Sequence, residues 1–175
     1  MRLLTALILI ASLVVVAGIS TGPIHAAKRS PLHVTFVGDS VPDAITYVSA
    51  ARRRLTKGFV VRLDLRVCRR LATPSCTFQG SRPASALEAV QTLGKRLGNV
   101  LVVDVGYNEG PVGYGAGIDR VMRAARVQGA TGVVWVTLRE TRDLYRQTNA
   151  VIRLAAKRWP KSRQRRRAMR SGSGP

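Results

Sequence analysis

Acidic residues are scarce in this chain. Nine Asp and Glu stand against 29 Lys and Arg, for a formal charge of +20, and no acid follows Asp143. Such a balance draws a protein to anionic surfaces, whether nucleic acid, acidic polysaccharide or anionic lipid, and charge alone does not choose among them. Histidine is almost missing, with only His25 and His33, and cysteine is limited to Cys68 and Cys76. Two thiolates without a nearby imidazole leave a tetrahedral zinc site unfilled, and their spacing is not that of a Cys-x-x-Cys redox pair. No metal or other cofactor is therefore expected. No recognised nucleic-acid module accompanies the charge, so no specific nucleic-acid partner is expected either. The apolar share, 46% of 175 residues, is ordinary for a globular protein and leaves room for one domain.

Residues 1–27 read as a secretory signal. Arg2 supplies the positive start, Leu3 to Ile19 the apolar stretch, and Ala26-Ala27 a small-residue cleavage site. The alternative is an uncleaved membrane anchor, since the stretch lies near the lower length limit for a spanning helix. Both place the rest of the chain outside the cytoplasm. Cys68 and Cys76 fit that compartment as a structural disulfide, worth about 2.5 kcal/mol for so short a loop.

The first organising stretch is Val34 to Ser40, an apolar strand running into Gly38-Asp39-Ser40. Gly38 suits a sharp turn, and Pro42 suits the first turn of a following helix. Ser40 then sits between a strand end and a helix start, with backbone N–H groups nearby that favour negative charge. Helix capping by Asp39 or Ser40 is the plainer role. Downstream, the spacing predicts a helix over Val41–Lys57, a strand over Phe59–Val67 and a cysteine loop. A helix within Ser81–Gly98 and a strand over Asn99–Gly106 come next. A glycine-rich loop, a helix over Ile118–Val127, a strand over Gly132–Leu138 and a helix over Asp143–Arg158 complete the order. Strictly alternating strands and helices imply an α/β domain with a parallel sheet and helices on both faces. Ligand sites in such sheets lie beyond the carboxyl ends of the strands, where Ser40, Asn108, the cysteine loop and Arg139-Glu140 all fall.

Gly38-Asp39-Ser40 and Gly106-Tyr107-Asn108, each at a strand end, resemble the first and third blocks of the SGNH/GDSL hydrolases. The likeness runs from Val34 to about Trp159 and extends to secreted actinobacterial members, which have a similar cysteine loop and a strand like VVWVTLRE. It implies a three-layer, flavodoxin-like fold. It also implies ester chemistry, with Ser40 as nucleophile and an oxyanion hole built from the Ser40 N–H, the Asn108 side chain and an N–H of the second block. Serine needs a base to accept its proton, and the oxyanion needs donors aimed at it in advance. Asn108 could otherwise be a turn residue before Gly110. Arg139 and Glu140 could touch substrate or form a surface ion pair. Arg52 to Arg54 and Arg69-Arg70 read as solvated faces.

Three departures stand out. Glu109 replaces the third block's usual Asp. Val67 to Arg70 holds no second-block glycine, so Cys68 or Arg69 would supply that N–H. The family's closing Asp-x-x-His is absent, and neither His25 nor His33 is placed to serve Ser40. Residues 28–160 are thus expected to form the domain, with a small ester or an acylated glycan as its substrate and Lys161 to Pro175 as a basic tail. That tail reads either as an arm for anionic polymer or as the product of a reading-frame shift or truncation that removes the last strand. The second reading has the pattern stopping mid-unit, and predicts an unpaired fourth strand and poor solubility. The functional expectation is a secreted serine hydrolase impaired as it stands. A non-catalytic binder of anionic polymer and an acyltransferase acting on cell-wall sugar are the alternatives.

Overall fold

Short runs of β-branched and apolar residues, each bounded by turn formers, become strands, and the longer amphipathic stretches between them become helices. A computed structural model describes residues 30–159, so the signal segment and the basic tail lie outside the described residues. Four strands, β1 (Leu32–Gly38), β2 (Phe59–Leu65), β3 (Val100–Asp104) and β4 (Gly132–Trp135), form one parallel sheet. Their order is β2-β1-β3-β4. Helices α1 (Ser40–Tyr47), α2 (Ser49–Thr56), α3 (Ala86–Leu93), α4 (Tyr114–Val127) and α5 (Asp143–Arg158) connect and flank them. This is the expected three-layer α/β arrangement. No described helix is long and apolar enough to cross a membrane.

The two sheet faces differ. On one, Val37, Leu101 and Val103 are fully buried with Leu87 and Val90 of α3, Ile118 and Val121 of α4, and Ile152 of α5. Each such side chain contributes about 1.5–3 kcal/mol by leaving water. On the other, α1 and α2 cover only part of the sheet. Leu55 lines a shallow apolar groove of about 250 Å³ there, with Val34, Phe36, Val61 and Val102.

Several expected boundaries move. The single helix over Val41–Lys57 is two helices, broken at Val48, whose backbone is extended (φ −112°, ψ 93°). Thr46-Tyr47-Val48 are stiff at χ1 and weak helix formers, and the Thr46 hydroxyl bonds locally to the Asp43 carbonyl. The helix within Ser81–Gly98 begins only at Ala86, where Ser85 and Glu88 form a reciprocal capping box. Helix α4 starts at Tyr114, inside the stretch read as loop. The cause is tertiary: a Cβ on Gly117 would lie 3.0 Å from Leu71 Cδ2, so glycine lets α4 pack closely on the cysteine loop. Strand β4 ends at Trp135 and is not covered on both faces, with Val134 50% exposed. It is an edge strand among the described residues, paired only with β3.

Candidate functional site

The order β2-β1-β3-β4 places the reversal of direction between β1 and β3. Crevices at such switch points, beyond the carboxyl ends of the strands, are where open α/β sheets bind ligands. Strand β1 ends there at Gly38 and β3 at Asp104, and these two residues are register partners. Gly38 does not serve by a left-handed backbone, as its place in the turn suggested. It serves by size, because a Cβ would sit 2.5 Å from Pro42 Cγ and 2.7 Å from Leu65 Cδ2. Helix α1 can therefore start directly against the strand end.

Asp39 is the cap of α1, and Ser40 is its first residue, exposed at the crevice. The buried Asp39 carboxylate does more than cap. Oδ1 accepts from the Val41 N–H at 3.0 Å, while Oδ2 accepts from the Gly106 and Tyr107 N–H groups, each at 3.1 Å. The Asp39 N–H donates to the Asp104 carbonyl at 3.1 Å. The Ser40 turn and the Gly106–Asn108 loop, far apart in sequence, are thus bound through one side chain. Burial raises the Asp39 pKa, and the three N–H donors work against that rise.

Asn108 lies on that loop, half-buried. Its amide donates one hydrogen bond to the Arg69 carbonyl at 3.1 Å, which leaves the second N–H of the amide group for another acceptor. Its own carbonyl accepts from Arg70 Nε at 3.0 Å. Glu109 accepts from the Leu71 N–H, so the residue that replaces Asp ties this loop to the cysteine loop. Burial raises the Glu109 pKa.

The Cys68–Cys76 disulfide is formed. Cys68 has φ +68°, a left-handed backbone that glycine adopts most readily. The Arg69 N–H is engaged by the Arg66 carbonyl at 3.3 Å. The Cys68 and Ser40 N–H groups have no partner among the described residues.

Arg69 is not on a solvated face. Its side chain is 2% exposed and pairs with Asp64 at 3.0 Å. It also donates to the Asp64 carbonyl at 2.5 Å and the Ala84 carbonyl at 3.0 Å. The reason is local: β2 ends beneath the loop, and carbonyls left there without strand partners need donors. Arg52 to Arg54 are exposed on α2, as expected.

Asp104, not singled out from sequence, is half-buried beside this turn, and its Oδ1 is buried without a hydrogen-bond partner. Burial first, and the Asp39 charge second, raise its pKa to about 6. Tyr107, also missed, accepts from the Arg139 N–H at 2.7 Å and packs edge-on against Tyr145, with centroids 5.0 Å apart. Through this contact the exit of β4 reaches the loop. Arg139 is exposed. Glu140 pairs with Arg153 at 3.0 Å and accepts from the Asn149 amide at 2.9 Å. His33 is exposed near the amino end of β1, and Ser40 lies beyond its other end, about 20 Å away at the usual rise of a strand. No cluster of metal-ligating side chains occurs among the described residues.

Comparison with protein-family models returns no match, and comparison with curated proteins returns none. Among solved structures, the chain is similar to the C-terminal catalytic domain of Streptococcus pneumoniae peptidoglycan O-acetyltransferase A, which was determined with a methylsulfonyl adduct. The superposition has a TM-score of 0.53 at 17% identity and covers 75% of this chain. It spans 66% of that domain, just under two thirds. The likeness is one of fold.

Proposed function

We propose that the chain carries an SGNH-type site for acyl-group chemistry, with Ser40 as nucleophile. One observation carries this reading: the Asp39 carboxylate joins the exposed Ser40 turn to the Asn108 loop at the switch point. Ser40 Oγ would lose its proton to a base and attack an ester carbonyl, whose oxygen would take up the negative charge. Collapse of that intermediate would break the ester C–O bond, release the alcohol with a proton and leave the acyl group on Ser40. The unpartnered Ser40 and Cys68 N–H groups and the second Asn108 N–H are the donors available to that oxygen. Cys68, rather than Arg69, stands in for the missing second-block glycine, since the Arg69 N–H is already engaged. No described histidine is within reach of Ser40, so no imidazole base is paired with the serine among the described residues and weak turnover by this chain is expected. Arg139, exposed at the rim, is the proposed substrate contact. Glu140 is assigned to the ion pair with Arg153.

Two readings differ in what accepts the acyl group. Transfer to water makes the protein an esterase, and transfer to a sugar hydroxyl makes it an acyltransferase. The named activity of the structural neighbour favours the second. The test supplies the missing base from solution. The chain is incubated with methanesulfonyl fluoride with and without imidazole and weighed by intact-mass spectrometry. A single methylsulfonyl adduct is expected, accelerated by imidazole and mapping to Ser40, and absent in Ser40→Ala. Equal labelling of wild type and Ser40→Ala would overturn the assignment.

A further inference from the structure

Helix α4 carries arginines at every third position, Arg120, Arg123 and Arg126, all exposed. At 1.5 Å per residue the three span about 9 Å along one side of the helix. Two adjoining depressions share Arg123. One, of about 430 Å³, is lined by Asp119, Arg123, Arg126, Arg158 and Trp159. The other, of about 340 Å³, lies toward α3 and adds Arg120, Gln91 and Gln128. They flank α4, one on its α5 side and one on its α3 side, and with the arginine stripe that runs between them they make one shallow, basic furrowed strip.

The charge in this furrow is not internally neutralised. Asp119 is the one acid among the described residues that line it, and that carboxylate is already engaged by Trp159 Nε1 at 2.7 Å and Arg158 at 3.2 Å. Arg126 stacks over the Trp159 ring at 4.4 Å, which fixes its direction without consuming its charge. Arg120 reaches only a backbone carbonyl, that of Ala72 at 3.3 Å. Arg123 makes no close hydrogen bond or ion pair among the described residues and acts on Asp119 only through space. An exposed guanidinium without a carboxylate, repeated at regular intervals along a furrow, matches a ligand whose negative charges also repeat. The planar fork of arginine favours phosphate in particular.

We propose that this furrow binds a linear, phosphate-bearing polyanion along α4. The site is separate from the Ser40 crevice and stands whether or not Ser40 is a nucleophile. A flat anionic membrane is the less suitable partner, because these arginines repeat along one line of about 9 Å rather than across a broad face.

The full chain is titrated with linear inorganic polyphosphate by isothermal calorimetry at several salt concentrations. Arg120→Gln/Arg123→Gln/Arg126→Gln removes three charges from the furrow. Arg52→Gln/Arg53→Gln/Arg54→Gln removes the same number from the exposed face of α2 and serves as the matched control. The furrow variant is expected to bind at least about tenfold more weakly, with a shallower salt dependence. The control is expected to change less than about threefold. Arg123→Gln alone, whose side chain holds nothing in place, should cost about threefold with an unchanged melting temperature. Equal losses in both triple variants would show bulk charge at work and overturn the proposal. So would no loss in either, which would move binding to residues 161–175, or retention on phosphatidylglycerol vesicles with the same dependence on the furrow.

Discussion

Asp104→Asn is expected to stabilise the protein at neutral pH and to do little in acid. The Asp104 carboxyl ends β3 beside Asp39, with Oδ1 buried and unpartnered. Its folded-state pKa is raised from 3.8 to about 6. In the unfolded chain the group titrates near its ordinary value. Between the two, the folded state holds a proton that the unfolded state has lost. Stability from this group is therefore full below about pH 4 and is lost as pH rises through about 6. The interval corresponds to about 3 kcal/mol at full value, and the group's partial exposure to screening solvent reduces that to about 1–2 kcal/mol. Asparagine is the shape of the protonated acid and never ionises, so it keeps the low-pH state at all pH values. The Asp39–Asp104 backbone hydrogen bond is untouched by the change. Thermal melts followed by circular dichroism at pH 4 and pH 7.5 read the difference. The variant should gain a few degrees at pH 7.5 and match the wild type at pH 4. Asp39 and Glu109, raised in the same direction, titrate in both proteins and largely cancel from the comparison. A gain of equal size at both pH values, or a loss at pH 7.5, would refute the assignment of an uncompensated charge.

Two further outcomes follow from the cysteine loop. Arg69→Met should destabilise by about 3 kcal/mol, because it leaves two carbonyls beneath the loop without their donor and Asp64 with only the longer, exposed Arg66 pair at 3.7 Å; urea denaturation measures it, and a change under about 1 kcal/mol would contradict the buried role. Cys68→Ser/Cys76→Ser should lose about 2.5 kcal/mol by the chain-entropy estimate, and the unsubstituted chain should lose a similar amount when reductant is added during the melt.

The alternation of strands and helices was legible because each strand is a short apolar run with turn formers at its ends. The bounds of α5, Asp143–Arg158, could be read directly from its periodicity. The positions of Ser40 and Asn108 at strand ends followed from the same pattern. What could not be read was set by contacts distant in sequence. Gly115 and Gly117 lower helix propensity, yet α4 includes both, since close packing of Gly117 on Leu71 and of Gly115 on Val151 outweighs the local preference. Arg69 and Arg70 are adjacent basic residues with no difference in local pattern. Only the end of β2 beneath the loop decides that the first is buried and the second turns to the Asn108 carbonyl. The Ser85–Glu88 capping box was present in the sequence and would have corrected the start of α3. Asp104 carried no local signal, because its raised pKa depends first on burial at the strand end and second on the Asp39 charge, which the pairing of β1 with β3 brings beside it.

Asp39 therefore takes over part of the importance that the sequence pattern assigned to Ser40. A carboxylate has two oxygens with acceptor capacity on each, and both are used: one begins α1, the other holds the loop that carries Asn108. Serine, the commonest alternative cap, could accept for the helix but has no second oxygen for Gly106 and Tyr107. Asparagine has a single acceptor oxygen and would have to surrender one set of bonds. The acid at this position is thus selected by geometry, at the cost of burying a charge whose pKa is raised and of lifting the pKa of Asp104 beside it. Because the clamp is made from backbone N–H donors, it does not depend on a catalytic base. That explains how the Ser40 turn and the Asn108 loop are held in one crevice with no described histidine near them.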